Sequence, residues 1–272
     1  MGITVELISR LRSMTGAGMM DCKKALTESN GDIDEAIQIL RKKGLKVAAS
    51  RCENSTNEGR VICIANNDKH YGIIFSVNCE TDFVADSDVF VSFCESLENL
   101  LSSECVETID DLNNSKINSL TVNEYMVDLM GKVGEKIILS NYCAIHDDYF
   151  TKYIHNGNKL GVLLATSDLQ DCDKFVANNI CMQIAAMKPL GLRRDMISPD
   201  IINKEREVVE EQTKAAPNQD IANKMINGRL EKFYKEVVLL EQPFIKDDKI
   251  SVEKYLKNYP KIDLHNFKRV SI

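Results

Sequence analysis

The sequence predicts an α+β protein on three observations. Its first fifty residues hold three short capped helical patterns, its middle repeats a strand hairpin followed by a helix, and a long charged helical pair precedes a C-terminal strand. The expected organisation is a three-helix module over 1–50, a linker over 51–57, a core N-subdomain over 58–140 and a core C-subdomain over 141–272. The second subdomain includes a helical hairpin at about 199–238.

A chain of 272 residues with 44% hydrophobic and 28% charged residues has the composition of a globular protein with two or three cores. The net charge of -7 disfavours direct nucleic-acid binding, which calls for a basic face. No apolar run approaches the roughly 18 residues of a bilayer span, and Gly2 lacks the downstream Ser or Thr of a myristoylation signal. The expectation is a soluble, cytoplasmic protein without membrane contact.

Cys22, Cys52, Cys63, Cys79, Cys94, Cys105, Cys143, Cys172 and Cys181 form no C-x-x-C pair and sit mostly among apolar neighbours. That pattern predicts reduced, core-filling thiols rather than disulfides. His70, His146, His155 and His265 are scattered with no H-E-x-x-H, so no metal site and no cofactor are expected.

In the first module Thr4 caps a helix with Leu7, Ile8 and Leu11 inward, and Thr15-Gly16-Ala17-Gly18 breaks it. A second helix runs from Met19 to Ser29. Asp32 and Glu35 predict a capping box for a third, with Ile33, Ala36, Ile37 and Leu40 inward and Gly44 as its C′ residue. A phosphate loop is disfavoured at Gly16–Gly18, because a helix precedes it and Met19 follows where a P-loop has lysine.

Two hairpin-then-helix units follow. Arg60 to Ala65 pairs with Tyr71 to Val77 ahead of a helix carrying Phe90, Phe93, Leu97 and Leu101. Lys152 to Ile154 pairs with Leu160 to Thr166 ahead of a helix carrying Phe175, Val176, Ile180 and Ile184. Tyr71-Gly72-Ile73-Ile74 and Leu160-Gly161-Val162-Leu163 occupy matching places, which predicts a duplication with helices laid on one face of antiparallel sheets. An extra strand, Ile137 to Ile145, is assigned to the second unit. Beyond it, Pro199 opens the hairpin arm at a first helical position, and Lys204, Glu205, Arg206, Glu207 and Glu210 give it a solvated face.

The stretch from Asn78 to Ala85 is the expected working turn, since it joins the buried strand Tyr71–Val77 to a helix. Thr81 and Asp82 both suit an N-cap. Phe83 has two readings: a staple folded back on Phe90, or a wedge projecting into a partner with Asp82 as a charged lever. The second unit has Ser167-Asp168-Leu169-Gln170-Asp171 at the corresponding place, with no aromatic, which favours the wedge.

Thr15-Gly16-Ala17-Gly18-Met19-Met20-Asp21-Cys22-Lys23-Lys24-Ala25-Leu26, followed by Asn30-Gly31-Asp32, resembles the N-terminal signature of the elongation factor Ts family. Thr81-Asp82-Phe83-Val84-Ala85 resembles the family's second signature. Gly131-Lys132-Val133-Gly134-Glu135, Ile184-Ala185-Ala186 with Lys188-Pro189, and Gln242-Pro243-Phe244 extend the resemblance over almost the whole chain. The resemblance implies an N-terminal module similar to ubiquitin-associated domains and a two-subdomain core. It further implies nucleotide exchange, without covalent chemistry, on the GTPase elongation factor Tu, in a complex that can hold two copies of each. Thr81, Asp82, Phe83 and Val84 would dislocate the partner's Mg²⁺, His155 and Gly157 would act at its phosphate site, and Gly16, Ala17, Gly18, Met19, Met20 and Asp21 would dock the module. Asn158-Lys159 departs from the family's commoner small-basic pair.

Two rivals come from other classes. A thiol enzyme using Cys79 lacks a basic partner in sequence. An adaptor or ribosome-associated binding protein would use the N-terminal helices alone, with the body presenting them.

Overall fold

The computed structural model describes residues 3–15, 17–171, 173–213 and 219–272. The architecture is α+β, with a helical module ahead of small antiparallel sheets. Its helices α1 (Val5–Thr15), α2 (Met19–Glu28) and α3 (Ile33–Ser50) enclose Leu11, Cys22, Ala25, Leu26 and Ala36. Thr4 Oγ1 accepts the Leu7 amide at 3.2 Å, as a helix cap does. Asp32 likewise accepts the Glu35 amide at 2.9 Å. The reciprocal half of the expected capping box is replaced, because the Asp32 amide donates to the Ser29 carbonyl at 3.0 Å.

Gly44 does not end α3. It lies buried inside the helix, which continues to Ser50. Val47 and Ala48 on this continuation pack against the core of the following subdomain. A glycine after a basic cluster has the local signature of a C′ residue, but here its missing side chain makes room for another helix.

After residues 51–57, β1 (Glu58–Asn66) and β2 (Tyr71–Cys79) form the first hairpin, with Arg60 opposite Val77 and Ala65 opposite Gly72. Every residue of β2 is buried, the mark of a central strand covered on both faces. There follow α4 (Asp82–Ala85), α5 (Asp88–Ser103), α6 (Ile109–Asn114), a two-residue ribbon of β3 (Lys116–Ile117) and β4 (Leu120–Thr121), α7 (Val122–Val133) and β5 (Ile138–His146).

Strand β5 corrects the expected topology. It pairs with β2, placing Tyr71 opposite His146 and Asn78 opposite Ile138, and so completes the first sheet in the order β1-β2-β5. A central strand needs a partner along each edge, and β5 supplies the second one. The strand therefore runs across positions 140 and 141.

The second hairpin, β6 (Tyr149–Ile154) with β7 (Leu160–Thr166), precedes α8 (Lys174–Met187). Beyond it come α9 (Pro199–Thr213) and α10 (Gln219–Val237), β8 (Pro243–Phe244), β9 (Asp247–Ser251), α11 (Val252–Leu256) and β10 (Leu264–Ser271). The last strand lies beside β7, giving the order β10-β7-β6. The expected turn of the arm at Ala215–Asn218 falls outside the described residues. Within the arm, Val209, Ile226 and Leu230 pack with Tyr234.

The two sheets face each other through Val61, Cys63, Ile74, Phe150, Leu163 and Ala165. The matching glycines explain the close approach. A Cβ on Gly72 would lie 2.6 Å from the Phe150 ring, and one on Gly161 would lie 2.6 Å from Val61 Cγ1. Each glycine yields space to the other sheet. Helix α5 covers the outer face of the first sheet with Phe90, Phe93, Leu97 and Leu101, and α8 covers the second with Val176, Ile180 and Ile184.

Candidate functional site

Strand β2 delivers the chain, fully buried, to Glu80 and Thr81 just past its C-terminal end. Glu80 Oε1 accepts the Lys136 amide, and Oε2 accepts both Arg51 Nη1 and Asn54 Nδ2, each at 2.8 Å. Burial alone would raise this carboxyl. The Lys136 amide, Asn54 and Arg51 outweigh it and hold the group below its ordinary range.

Thr81 is the cap of α4. Its Oγ1 accepts the Val84 amide at 3.4 Å and donates to Glu135 Oε1 at 2.7 Å, while its amide donates to Glu135 Oε2 at 3.0 Å. Both oxygens of one carboxylate thus grip one threonine, in charge-assisted bonds of the stronger kind. Asp82 is the first helical residue, and its Oδ1 accepts the neighbouring Phe83 amide at 2.9 Å. Val84 and Ala85 enter the first core, and Arg60 Nε donates to the Ala85 carbonyl at 3.0 Å.

Phe83, between these anchors, is 86% exposed. The staple on Phe90 is not formed. Helix α4 ends at Ala85 with Asp86 as its C-cap, and α5 starts at Asp88 behind its N-cap Ser87 as a separate helix, so Phe83 and Phe90 share no helical face. Phe90 is instead buried in the core.

His155 lies exposed in the turn between β6 and β7, with Nδ1 2.9 Å from the Tyr153 hydroxyl. Gly157 at φ 89° and Asn158 at φ 57° take the left-handed conformations that shape the tip. The Asn158 carbonyl accepts the Val61 amide at 2.7 Å, and Lys159 pairs with Glu58, so the tip leans on β1. Glu58, with Asp82 and Asp86 contributing, holds the Lys159 ammonium above its ordinary range. The fold therefore brings the His155 turn and the Phe83 turn to the same end of β1.

The N-terminal set divides. Met19 and Met20 are exposed, Ala17 is buried in the module core, Gly18 caps α2 by backbone alone, and Asp21 pairs with Lys43 at 2.7 Å. Gly16 lies outside the described residues.

Cys79 is buried, and burial with Glu135 and Glu58 nearby pushes its thiol up to about 12. Such a group stays protonated at neutral pH and makes a poor nucleophile. Among the described residues no helix is long and apolar enough to cross a membrane.

Sequence reasoning missed the roles of Glu80, Glu135 and Arg51. Glu135 stands in the Gly131–Glu135 motif, but its partner is 54 positions away.

The family model described as Elongation factor TS matches residues 80–272. A curated relative named elongation factor Ts from Amoebophilus asiaticus (strain 5a2) is 42% identical over 276 positions, covering 100% of this chain and 99% of its own. Another of that name from Cytophaga hutchinsonii is 38% identical over 275 positions, covering 99% of each chain. A third, from Clostridium botulinum (strain Eklund 17B / Type B), is 38% identical over 264 positions, covering 93% of this chain and 86% of its own. These similarities place the chain among translation elongation factors, proteins of the biosynthetic machinery. Within that class, it belongs to the elongation factor Ts family.

Proposed function

We propose that this chain promotes GDP release from elongation factor Tu, with Phe83 as a wedge and without covalent chemistry. The observation that carries the proposal is an aromatic ring 86% exposed beside two residues sunk in the core, on a turn gripped by Glu135. Leaving such a ring in water forgoes about 1.5–3 kcal/mol of burial, which docking into an apolar gap recovers. The clamp means that little ordering remains to be done on binding.

Exchange requires a ligand that prefers the partner's empty state, since equal affinity for both states shifts nothing. Moving a partner from mostly loaded to mostly empty takes about 5.5 kcal/mol of preference. A wedge supplies that preference if its gap exists only after the host helices have moved. Moving them disturbs the groups that hold Mg²⁺, and losing the cation leaves phosphate charge unbalanced. Thr81, Asp82 and Val84 set the wedge, and His155 with Gly157 acts near the phosphate loop from the same end of β1. Met19 and Met20 offer the module's apolar contact.

Stopped-flow release of a fluorescent GDP analogue from elongation factor Tu tests this. Phe83→Ala is expected to slow release roughly 10- to 30-fold, the scale of an aromatic hot spot worth about 2 kcal/mol, while complex formation changes only a few-fold. Release as fast as wild type rejects the wedge.

A further inference from the structure

Cys105, Glu107 and His146 converge at one corner of the first subdomain, although His146 lies 39 positions beyond Glu107. Cys105 Sγ is 3.5 Å from Glu107 Oε1 and 3.7 Å from His146 Nε2, and Nε2 is 2.7 Å from the same glutamate oxygen. The backbone builds this convergence. Between the two donors, Val106 buries its side chain in the core, and its carbonyl accepts the Tyr142 hydroxyl at 2.6 Å. The chain leaves α5 extended at Glu104, and in extended backbone the residues flanking an inward one project together to the other side. His146 closes β5 on the strand face of Tyr142 and Ala144, both packed against the same core.

We propose that Cys105, Glu107 and His146 form a binding site for a borderline-soft divalent cation of the zinc class. Thiolate, imidazole and carboxylate are the donors such a cation takes, whereas Mg²⁺ and Ca²⁺ take oxygen alone. Around a tetrahedral zinc with bonds of about 2.0–2.3 Å, ligand atoms lie about 3.4–3.6 Å apart. Two of the three separations are already at or near that value. The third is a hydrogen bond, and it opens by roughly 0.7 Å when the cation replaces the shared proton.

On binding, the Cys105 S–H bond breaks, its proton leaves to solvent, and the sulfur's electron pair forms the metal bond. The proton shared between His146 Nε2 and Glu107 also leaves to solvent, so that Glu107 binds as carboxylate and the neutral imidazole, its remaining proton on Nδ1, offers the Nε2 lone pair. Thiolate and carboxylate together neutralise the dication. The exposed corner leaves a fourth position to water, and the cation would tie the segment after α5 to the end of β5.

The test uses the full chain after chelation, titrated with Zn²⁺ and, as a spectroscopic probe, Co²⁺. One equivalent of Co²⁺ should produce a thiolate-to-cobalt charge-transfer band that Cys52→Ser retains and Cys105→Ser abolishes. His146→Asn should weaken zinc binding beyond the roughly 10- to 100-fold that loss of a supporting hydrogen bond costs a metal site. Zinc should raise the melting temperature of the wild type and leave that of Cys105→Ser unchanged, with circular dichroism confirming that all three variants are folded. The proposal is overturned if wild type shows no thiolate–cobalt band, or if the band persists undiminished in Cys105→Ser.

Discussion

Gly44 and Gly131 face each other across the crossing of α3 and α7: a Cβ on Gly131 would lie 3.3 Å from the Gly44 Cα. One on Gly44 would lie 2.1 Å from the Val127 carbonyl oxygen, closer than real Cβ atoms come to backbone. The crossing is therefore set by two absent side chains. Gly44→Ala removes helical glycine entropy worth up to about 1 kcal/mol but forces the helices apart, which costs roughly 1–3 kcal/mol or more. Net destabilisation is expected in urea unfolding. Gly228→Ala in α10 is the control, because a Cβ there meets nothing within 4 Å, and the same change should stabilise by up to about 1 kcal/mol. Shifts in the same direction for both variants contradict the close crossing.

Glu135→Gln keeps the shape of the clamp on Thr81 but replaces one acceptor with a donor. The Thr81 amide can still donate to the amide oxygen and the Thr81 hydroxyl can turn to accept from the new NH2, but both bonds lose their charge assistance, a loss of about 1–3 kcal/mol in all. The exchange assay should show GDP release slowed and the melting temperature modestly lowered. Wild-type release from a destabilised variant would show that the stiffness of the turn is irrelevant to its work.

Glu80 gives the fold an acid-sensitive joint. Its folded carboxyl titrates below the ordinary range, so its stabilising contribution is complete above the unfolded value of about 4.3 and fades as pH falls through the folded value. Urea midpoints of wild type and Glu80→Gln should differ most at neutral pH and converge in acid below about 4.3. A gap that does not narrow in that range means the charge contributes nothing.

Met19 and Met20 are the exposed apolar residues of the expected docking set. Met19→Ala with Met20→Ala should weaken association with elongation factor Tu, while GDP release from the complex once formed proceeds at the wild-type rate. An adaptor that works through this module alone would lose all activity instead. Removing residues 1–50 is a poorer experiment, because it strips Val47 and Ala48 from the next core.

Native-state alkylation followed by mass spectrometry distinguishes the thiols. Burial pushes Cys63, Cys79 and Cys94 up to about 12, whereas Cys52 is exposed. Iodoacetamide at neutral pH should label Cys52 and spare those three, leaving exchange intact. Early labelling of Cys79 with loss of exchange would revive a thiol mechanism.

What the sequence disclosed was local. Thr4 and Asp32 advertise their caps within three residues, and the unbroken apolar run from Tyr71 marks a strand covered on both sides. The exposed Phe83 was legible because the duplicated unit lacks an aromatic there. Long-range choices were hidden. The pattern of β5 fits either sheet, and only the unfilled edge of β2 decides between them. Gly44 carries the local signature of a helix end, and the reason it is not one sits on α7. The grip of Glu135 on Thr81 joins two family motifs that no periodicity connects.

Helix α3 belongs to two cores at once: Ala36 and Leu40 to the module, Val47 and Ala48 to the body. A segment shared in this way acts as a splint rather than a leash. An unbroken helix therefore connects the module bearing Met19 and Met20 to the body that carries Phe83. Contact at either place then aims the other, and a partner able to accept both must already present them at the matching span.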